Sequence, residues 1–243
     1  MPTTFQPPAP WLPPIPGLHR RDPEHRYYLG DVSFPVSVTG VLAVMKSSYA
    51  MERIEATRET WEPRGNTAHR ALEVFLSLGD PGPADMTMAV PAGAMQELQA
   101  LLTGDYADWV QPLVTHPRWE AVQVIASERP TCCLTRRIAG TFDCAYLDPS
   151  LPPSPERPAW VTGPAVVLAD LKSLGPNGST YSTAAQLGGY MVLEAAQGNH
   201  YELGQTIWSK PGEASCSTFY SREQCLSAWA AAWSGYCLAH RPF

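Results

Sequence analysis

The most constraining feature of the sequence is a short apolar run, residues 165–168, that leads directly into two charged residues. Gly-Pro pairs at 163–164 and 175–176 bound this segment, and its valines favour a buried strand over a helix. Asp170 and Lys172 are two positions apart, so on a strand both side chains point to the same face. Because charges are costly to bury, a bound metal and an anionic ligand would account for the pair. The alternative is an ordinary ion pair, or two solvated charges at the strand end.

The composition is that of one sizeable globular domain. The chain has 243 residues, 44% of them hydrophobic and 16% charged, with a formal net charge of −6. This acidic balance argues against a broad basic surface for nucleic acid, although divalent ions can offset phosphate charge locally. No apolar run approaches the roughly 18 residues of a membrane helix, and no secretory signal precedes the domain. We therefore expect a cytoplasmic protein that is neither secreted nor membrane-bound.

A proline-rich arm at residues 1–27 precedes the domain. Seven of its first 16 residues are proline, which is typical of a polyproline-type segment outside the core. Such an arm can dock on a protein partner, so an interaction protein is one alternative interpretation of the chain. Residues 28–243 are predicted to form a single domain. Its parts are a helical region at about 37–115, a core at about 119–243 and, within the core, an inserted surface loop at 148–163.

The helical region is predicted to contain several separate helices. Ser37 is placed to cap the first of them, and an amphipathic stretch covers Tyr49 to Trp61. The sequence Pro-Arg-Gly at 63–65 predicts a break before a helix at 66–78. A loop at 80–91 and helices at 92–102 and 104–114 complete the region.

From Trp119 the hydrophobic pattern changes to that of strands. Three short strands are predicted at 122–125, 132–138 and 141–146, joined by turns at 128–130 and 139–140. Asp143 falls inside the third, where an acid is disfavoured, so it should have a partner that satisfies it.

The last third of the chain is predicted to alternate helices with a hairpin. A helix from about Thr183 to Gln197 would be capped by Ser179, Thr180 or Ser182, a hairpin turns at 211–212, and a final helix begins near Ser221. In the first of these helices Gly188 and Gly189 each cost about 1 kcal/mol relative to Ala. Close approach of another backbone or of a ligand would explain their presence.

Two pairs of residues at helical spacing are further candidates for a site. His69 and Glu73 are four apart and share a helix face, so Glu73 is either the hydrogen-bond partner that orients the imidazole or part of a surface pair. Gln186 and Tyr190 share a face in the same way.

Four motifs in order carry a resemblance to a known family. They are Gly65-x-x-x-His69, Gly140-x-x-Asp143, Asp170-x-Lys172 and Gln186-x-x-x-Tyr190. This series, over about residues 28–238, resembles the RecB-type branch of the PD-(D/E)XK nucleases, and the segments at its two ends resemble the mitochondrial genome maintenance exonucleases and their phage relatives. The resemblance implies an α/β (α+β) restriction-endonuclease-like fold, with a central mixed sheet of about four or five strands flanked by helices and an N-terminal helical region.

The resemblance also implies a site and its cofactor. Asp143 and Asp170, helped by His69 and the main-chain carbonyl of Leu171, would bind one or two Mg²⁺ or Mn²⁺ ions. Lys172 would orient or deprotonate the attacking water and stabilise charge at phosphorus. Ser173, Gln186 and Tyr190 would position the DNA strand. Glu128 is a weaker candidate for a neighbour of the metal.

The expected function is metal-dependent hydrolysis of DNA in replication, recombination or repair. We expect an exonuclease that prefers single-stranded DNA or DNA ends. An endonuclease of the same fold and a non-catalytic DNA-binding or partner-docking module are the alternatives. Relatives with an iron–sulfur cluster have closely spaced C-terminal cysteines; the six cysteines here have no Cys-x-x-Cys spacing, so no cluster is expected. The sequence departs from the family pattern in using Asp170 where many relatives have Glu, and in the long 148–163 insert.

Overall fold

The computed structural model of the chain describes residues 11–21, 26–78, 93–155, 157–158 and 163–240. The first of these residues form a small antiparallel sheet of β1 (Leu18–Arg21), β2 (Arg26–Leu29) and β3 (Val32–Ser33). Ahead of β1, the Leu12 amide donates a hydrogen bond to the Ile125 carbonyl at 2.8 Å, and the Leu12 side chain packs against the core. This part of the proline-rich arm therefore lies on the domain rather than apart from it.

Between residues 38 and 121, the described residues form six helices. They are α1 (Val38–Ala43), α2 (Ser48–Ala56), α3 (Arg58–Leu78), α4 (Ala94–Thr103), α5 (Ala107–Val114) and α6 (Arg118–Ala121). Ser37 caps α1 as predicted, since its Oγ accepts from the Gly40 amide at 3.0 Å. The loop predicted at 80–91 lies outside the described residues. No helix in the described ranges is long and apolar enough to cross a bilayer.

The predicted helix break after Trp61 is wrong. α3 continues without interruption from Arg58 to Leu78, with Pro63 inside it. Pro63 lies in the second turn, where a proline removes one intrahelical hydrogen bond. Burial of the following apolar face, including Leu72 and Leu76, offsets that loss. The long helix is important for the site because it carries His69 to the sheet.

The large sheet is mixed and curled, and in the described ranges it has seven strands. They are β4 (Val36–Ser37), β5 (Gln123–Cys133), β6 (Ile138–Asp148), β7 (Ala165–Ser173), β8 (Leu203–Lys210), β9 (Glu213–Cys216) and β10 (Tyr220–Ser221). The order is β10-β8-β7-β6-β4, with β5 beside β6 and β9 beside β8. The pairs β4–β6 and β7–β8 are parallel, and the others are antiparallel. A mixed sheet flanked by helices was predicted; the additional strands are short edge segments that carry little sequence signal.

The prediction of three short strands after Trp119 is wrong. Two long strands, β5 and β6, replace them and turn at 134–137. Pro130, taken as a turn residue, is tolerated inside β5 because β5 pairs with β6 alone among the described strands, and an edge strand has no ladder bond to lose on its outer side. Gly140 lies inside β6, where the Tyr190 ring occupies the space of a side chain: an added Cβ would be 2.8 Å from it.

Two helices, α7 (Ala184–Ala195) and α8 (Arg222–Ala239), pack on the sheet and on each other. Ser221 caps α8 through a capping box, as predicted for its start. None of the three predicted residues is the N-cap of α7. Thr183 occupies that position, and its hydroxyl is hydrogen-bonded to that of Thr206 at 2.7 Å instead of to the helix.

The inserted loop between β6 and β7 is anchored by Glu202. Its side chain is 1% exposed and pairs with Arg157 at 2.5 Å. It also accepts hydrogen bonds from the Ser154 amide at 2.9 Å and the Val166 amide at 3.2 Å. The position of the loop therefore depends on the buried carboxylate of Glu202.

We predict that Glu202→Gln lowers the free energy of unfolding by about 2 kcal/mol at neutral pH. Burial alone would raise the pKa of Glu202, but Arg157 and the two amides hold it below 4.5. Because the folded-state pKa is the lower one, this stabilisation is present above the unfolded pKa and is lost as the pH falls through the folded-state value. Urea unfolding at neutral and acidic pH measures it. If the wild type exceeds Glu202→Gln in unfolding free energy by as much at about pH 3 as at neutral pH, the stabilising role of the Glu202 carboxylate is contradicted.

Candidate metal centre

Asp143 lies where β6 and β7 separate. The two strands are paired from Asp148 and Ala165 to Cys144 and Ala169, and Asp143 is the next residue of β6 beyond the last pair. There its carboxylate accepts a hydrogen bond from the Leu171 amide, in place of a strand carbonyl. The residue is 7% exposed. The prediction that an acid inside this strand has a partner is confirmed.

Asp170 and Lys172 lie together on β7, as their spacing predicted. The Lys172 Nζ is 2.7 Å from Oδ2 of Asp170, whose side chain is 1% exposed. Although the ammonium is near, neither carboxylate oxygen of Asp170 accepts a hydrogen bond of good geometry from the described residues. A buried carboxylate in this condition is costly, so Asp170 is an acceptor with capacity for a further ligand.

His69 and Glu128 complete the cluster from two other elements. Nδ1 of His69, on α3, is 3.1 Å from Glu128 and 3.3 Å from Asp143. Glu128 lies between the paired residues Ser127 and Arg129 of β5. Its φ is +41°, a left-handed conformation that is uncommon for a residue with a side chain. Strain of this kind is concentrated at functional sites. Here it brings the Glu128 carboxylate next to His69.

The surroundings of these groups shift their pKa values in different directions. Burial would lower the pKa of His69, but the carboxylates of Asp143 and Glu128 raise it to about 10. Burial raises the pKa of Asp170 to about 6, against the effect of Lys172. Burial acts in the same direction on Asp143, yet His69 and Lys172 hold the pKa of Asp143 below its usual value. Two carboxylates with pKa values pushed apart are typical of catalytic sites.

Lys172 is held in its charged form by the same carboxylates. Burial would lower its pKa, but Asp170 and Asp143 raise it above the usual value. With these partners Lys172 is an ammonium at neutral pH. Stabilising negative charge, one of its predicted roles, fits this state.

The residues fit a divalent cation. Ligand atoms of His69, Glu128 and Asp143 all lie within 4.8 Å of one another, a spread that matches ligands at about 2.0–2.6 Å from one ion. Carboxylate oxygens and imidazole nitrogens are ordinary ligands of divalent cations. Asp170 is not part of this three-residue group, but its Oδ1 has no hydrogen-bond partner among the described residues. The Leu171 carbonyl, a predicted ligand, accepts a hydrogen bond from Lys172 at 3.2 Å.

A cleft of about 380 Å³ opens onto the cluster. Its walls come from α2, α3 and the end of β7, and they include His69, Lys172 and Ser173. Lys46 and Tyr181 also contribute to it. His69 of the cluster and Lys172 beside it line this cleft, so a ligand can reach the site from that side.

The remaining sequence candidates have partners outside this cluster. Glu73 is paired with Arg70 at 2.7 Å and not with His69, which corresponds to the surface-pair interpretation. Gln186 donates to the Tyr190 hydroxyl at 3.5 Å, so these two residues do share a helix face. Tyr190 is 3% exposed and packs on Phe142. In this structure Tyr190 supports the sheet beneath the site.

Arg64 is a functional candidate that the sequence reasoning missed. It is 9% exposed, donates to Ser173 Oγ and O at 3.4 and 3.3 Å, and lies over the Trp109 ring at 5.6 Å. No carboxylate within the described ranges pairs with it. Its position directly before Gly65 of the first motif was the available signal, because a residue in that turn of α3 is carried toward the end of β7.

Comparison with known proteins gave no match to any family model, and no curated protein is significantly similar to the chain.

Proposed function

We propose that this protein is a divalent-metal-dependent deoxyribonuclease with a PD-(D/E)XK-type core, acting as an exonuclease on single-stranded DNA or DNA ends. The observation that carries the proposal is the meeting of His69, Glu128 and Asp143 beside the buried Asp170–Lys172 pair, at the point where β6 and β7 separate. The order of these residues along the chain, and the elements that hold them, fit the motif series of that superfamily.

In this proposal the metal is held by Asp143 and Asp170, together with His69 and Glu128. One or two Mg²⁺ or Mn²⁺ ions would supply an activated water and would neutralise charge on the phosphodiester. Asp143 also keeps the end of β7 in place through the Leu171 amide. This hydrogen bond fixes the position of Asp170 one residue earlier.

Two cationic residues near the end of β7, Lys172 and Arg64, would bind the phosphates. Lys172 is charged and partly solvent-accessible, with 20% of its side chain exposed, so it can donate to a phosphate oxygen as negative charge develops there. Arg64, held against Ser173 and without an acidic partner in the described residues, would bind a neighbouring phosphate of the same strand. Asp170 positions the Lys172 ammonium.

The experiment is a cleavage assay on end-labelled linear and closed circular single-stranded DNA, with Mg²⁺, Mn²⁺ or EDTA. We expect metal-dependent loss of the linear strand, no cleavage in EDTA, and little loss of the circle. Equal cleavage of both forms would contradict exonuclease action and support the endonuclease alternative. No cleavage of either form in any metal would reject the proposed chemistry.

A further inference from the structure

Beside the candidate metal centre, an aromatic side chain is exposed in a fixed position. Tyr181 is 54% exposed, while Trp208 beneath it is 3% exposed. The two ring centroids are 5.2 Å apart at an interplanar angle of 70°, in an edge-on contact. The edge-on contact fixes the ring without covering it, so Tyr181 keeps surface available for a ligand.

The backbone next to Tyr181 is anchored to the sheet. Two residues later, the Thr183 hydroxyl is hydrogen-bonded to that of Thr206 at 2.7 Å, and both residues are buried. Thr206 and Trp208 belong to the same strand, β8. The loop before α7 is therefore tied to the strand that supports the Tyr181 ring, which limits its conformational freedom.

The position of this ring relative to Lys172 is set by strand register. Trp208 on β8 is the direct partner of Lys172 on β7. Tyr181 lines the cleft that contains Lys172 and His69, and it also lines a neighbouring recess of about 380 Å³. It is the lining residue that the two have in common. A strand that occupied both would therefore lie against this side chain.

The recess has a polar, hydroxyl-rich wall. Thr180, Ser182 and Ser215 contribute to it, together with Tyr220. Hydroxyl groups donate and accept hydrogen bonds, so they can contact nucleotides of any base identity. The recess carries no Lys or Arg among its lining residues, which indicates a contact with bases or sugars more than with phosphates.

We propose that Tyr181 is a stacking platform for an unpaired nucleobase, and that it guides a single strand between the metal centre and the hydroxyl-lined recess. This inference rests on the proposed function and names its substrate class. The free face of an aromatic ring binds a base by stacking, regardless of base identity. Bases inside a duplex have both faces covered by their neighbours, so only an unpaired or frayed nucleotide can use this platform.

The test measures binding without cleavage. Fluorescence anisotropy in EDTA compares a labelled oligothymidylate with an abasic oligomer of the same length, for wild type, Tyr181→Ala and Tyr181→Phe. We expect Tyr181→Ala to weaken oligothymidylate binding about 10-fold, and to change abasic binding by about twofold at most. Tyr181→Phe keeps the ring and should bind within about twofold of wild type on both oligomers.

A second measurement compares the binding of single-stranded and duplex DNA. The wild type should prefer oligothymidylate to a blunt duplex, and Tyr181→Ala should lose most of that preference. Equal weakening on oligothymidylate and abasic oligomer, or unchanged binding by Tyr181→Ala, would overturn the inference. Wild type that binds neither oligomer would overturn it as well. The nuclease proposal is judged separately by cleavage, so a positive stacking result with no cleavage in Mn²⁺ would reject the chemistry and keep the platform.

Discussion

Lys172→Gln is expected to slow phosphodiester cleavage by about 1,000-fold. Glutamine removes the ammonium that would stabilise charge on the phosphate, and one such group in a buried site contributes about 100- to 1,000-fold or more. It also leaves the buried Asp170 carboxylate without its cationic neighbour at 2.7 Å. Initial rates on labelled single-stranded DNA in Mn²⁺ measure the effect.

Lys210→Gln is the matched control for this substitution. Lys210 ends β8 in a partly exposed position beside the hairpin turn, and it is not among the residues that line the cleft. Its cleavage rate should stay within about twofold of wild type. Thermal unfolding of both variants separates loss of chemistry from loss of fold. A folded Lys172→Gln protein that cleaves at the wild-type rate would contradict the role assigned to Lys172.

Gly188→Ala is expected to destabilise the protein by about 3 kcal/mol. A Cβ at this position of α7 would lie 2.0 Å from the Cys225 carbonyl oxygen and 2.9 Å from Cβ of Trp229, both on α8. The first of these atoms is backbone, so α8 as a whole would have to move. The sequence prediction that close approach of another backbone explains this glycine is confirmed. Urea unfolding monitored by circular dichroism measures the loss.

Gly235→Ala is the control, because it makes the same change in a helix with a different neighbour. A Cβ there would meet only the end of the Met45 side chain, at 2.9 Å, and Met45 is 58% exposed and free to move. Because alanine has a higher helix propensity than glycine, this substitution should stabilise α8 by about 0.5–1 kcal/mol. Equal losses in the two variants would show that helix contact at Gly188 is not the cause.

Local signals in the sequence were sufficient for several parts of the structure. The strand that carries Asp170 and Lys172 was predictable from apolar residues between Gly-Pro pairs. Ser37 and Ser221 were recognisable as helix caps, because capping depends on a few adjacent residues. The hairpin at 211–212 is equally local. In each case the determining interactions lie within a few positions of the residue.

The parts that the sequence did not predict depend on contacts between distant segments. Pro63 stays inside α3 because the helix face beyond it is buried, and Pro130 stays inside β5 because that strand is at an edge. The contact of Glu128 with His69 arises only when α3 meets β5. The contact of Arg64 with Ser173 arises only when α3 meets β7. Helical spacing alone suggested Glu73 as the partner of His69. The actual partners, Glu128 and Asp143, come from distant strands and cannot be read from that spacing.

The measurement that tests the central claim most directly is a Mn²⁺ titration of the wild-type protein by calorimetry, beside Asp143→Asn and the control Glu73→Gln. We predict that the wild type binds one or two ions and that Asp143→Asn weakens binding at least about 10-fold. Glu73→Gln should bind as the wild type does, because Glu73 is paired with Arg70 and not with His69. Wild-type protein that binds no Mn²⁺, or a folded Asp143→Asn protein that binds it unchanged, would contradict the assignment of the metal centre.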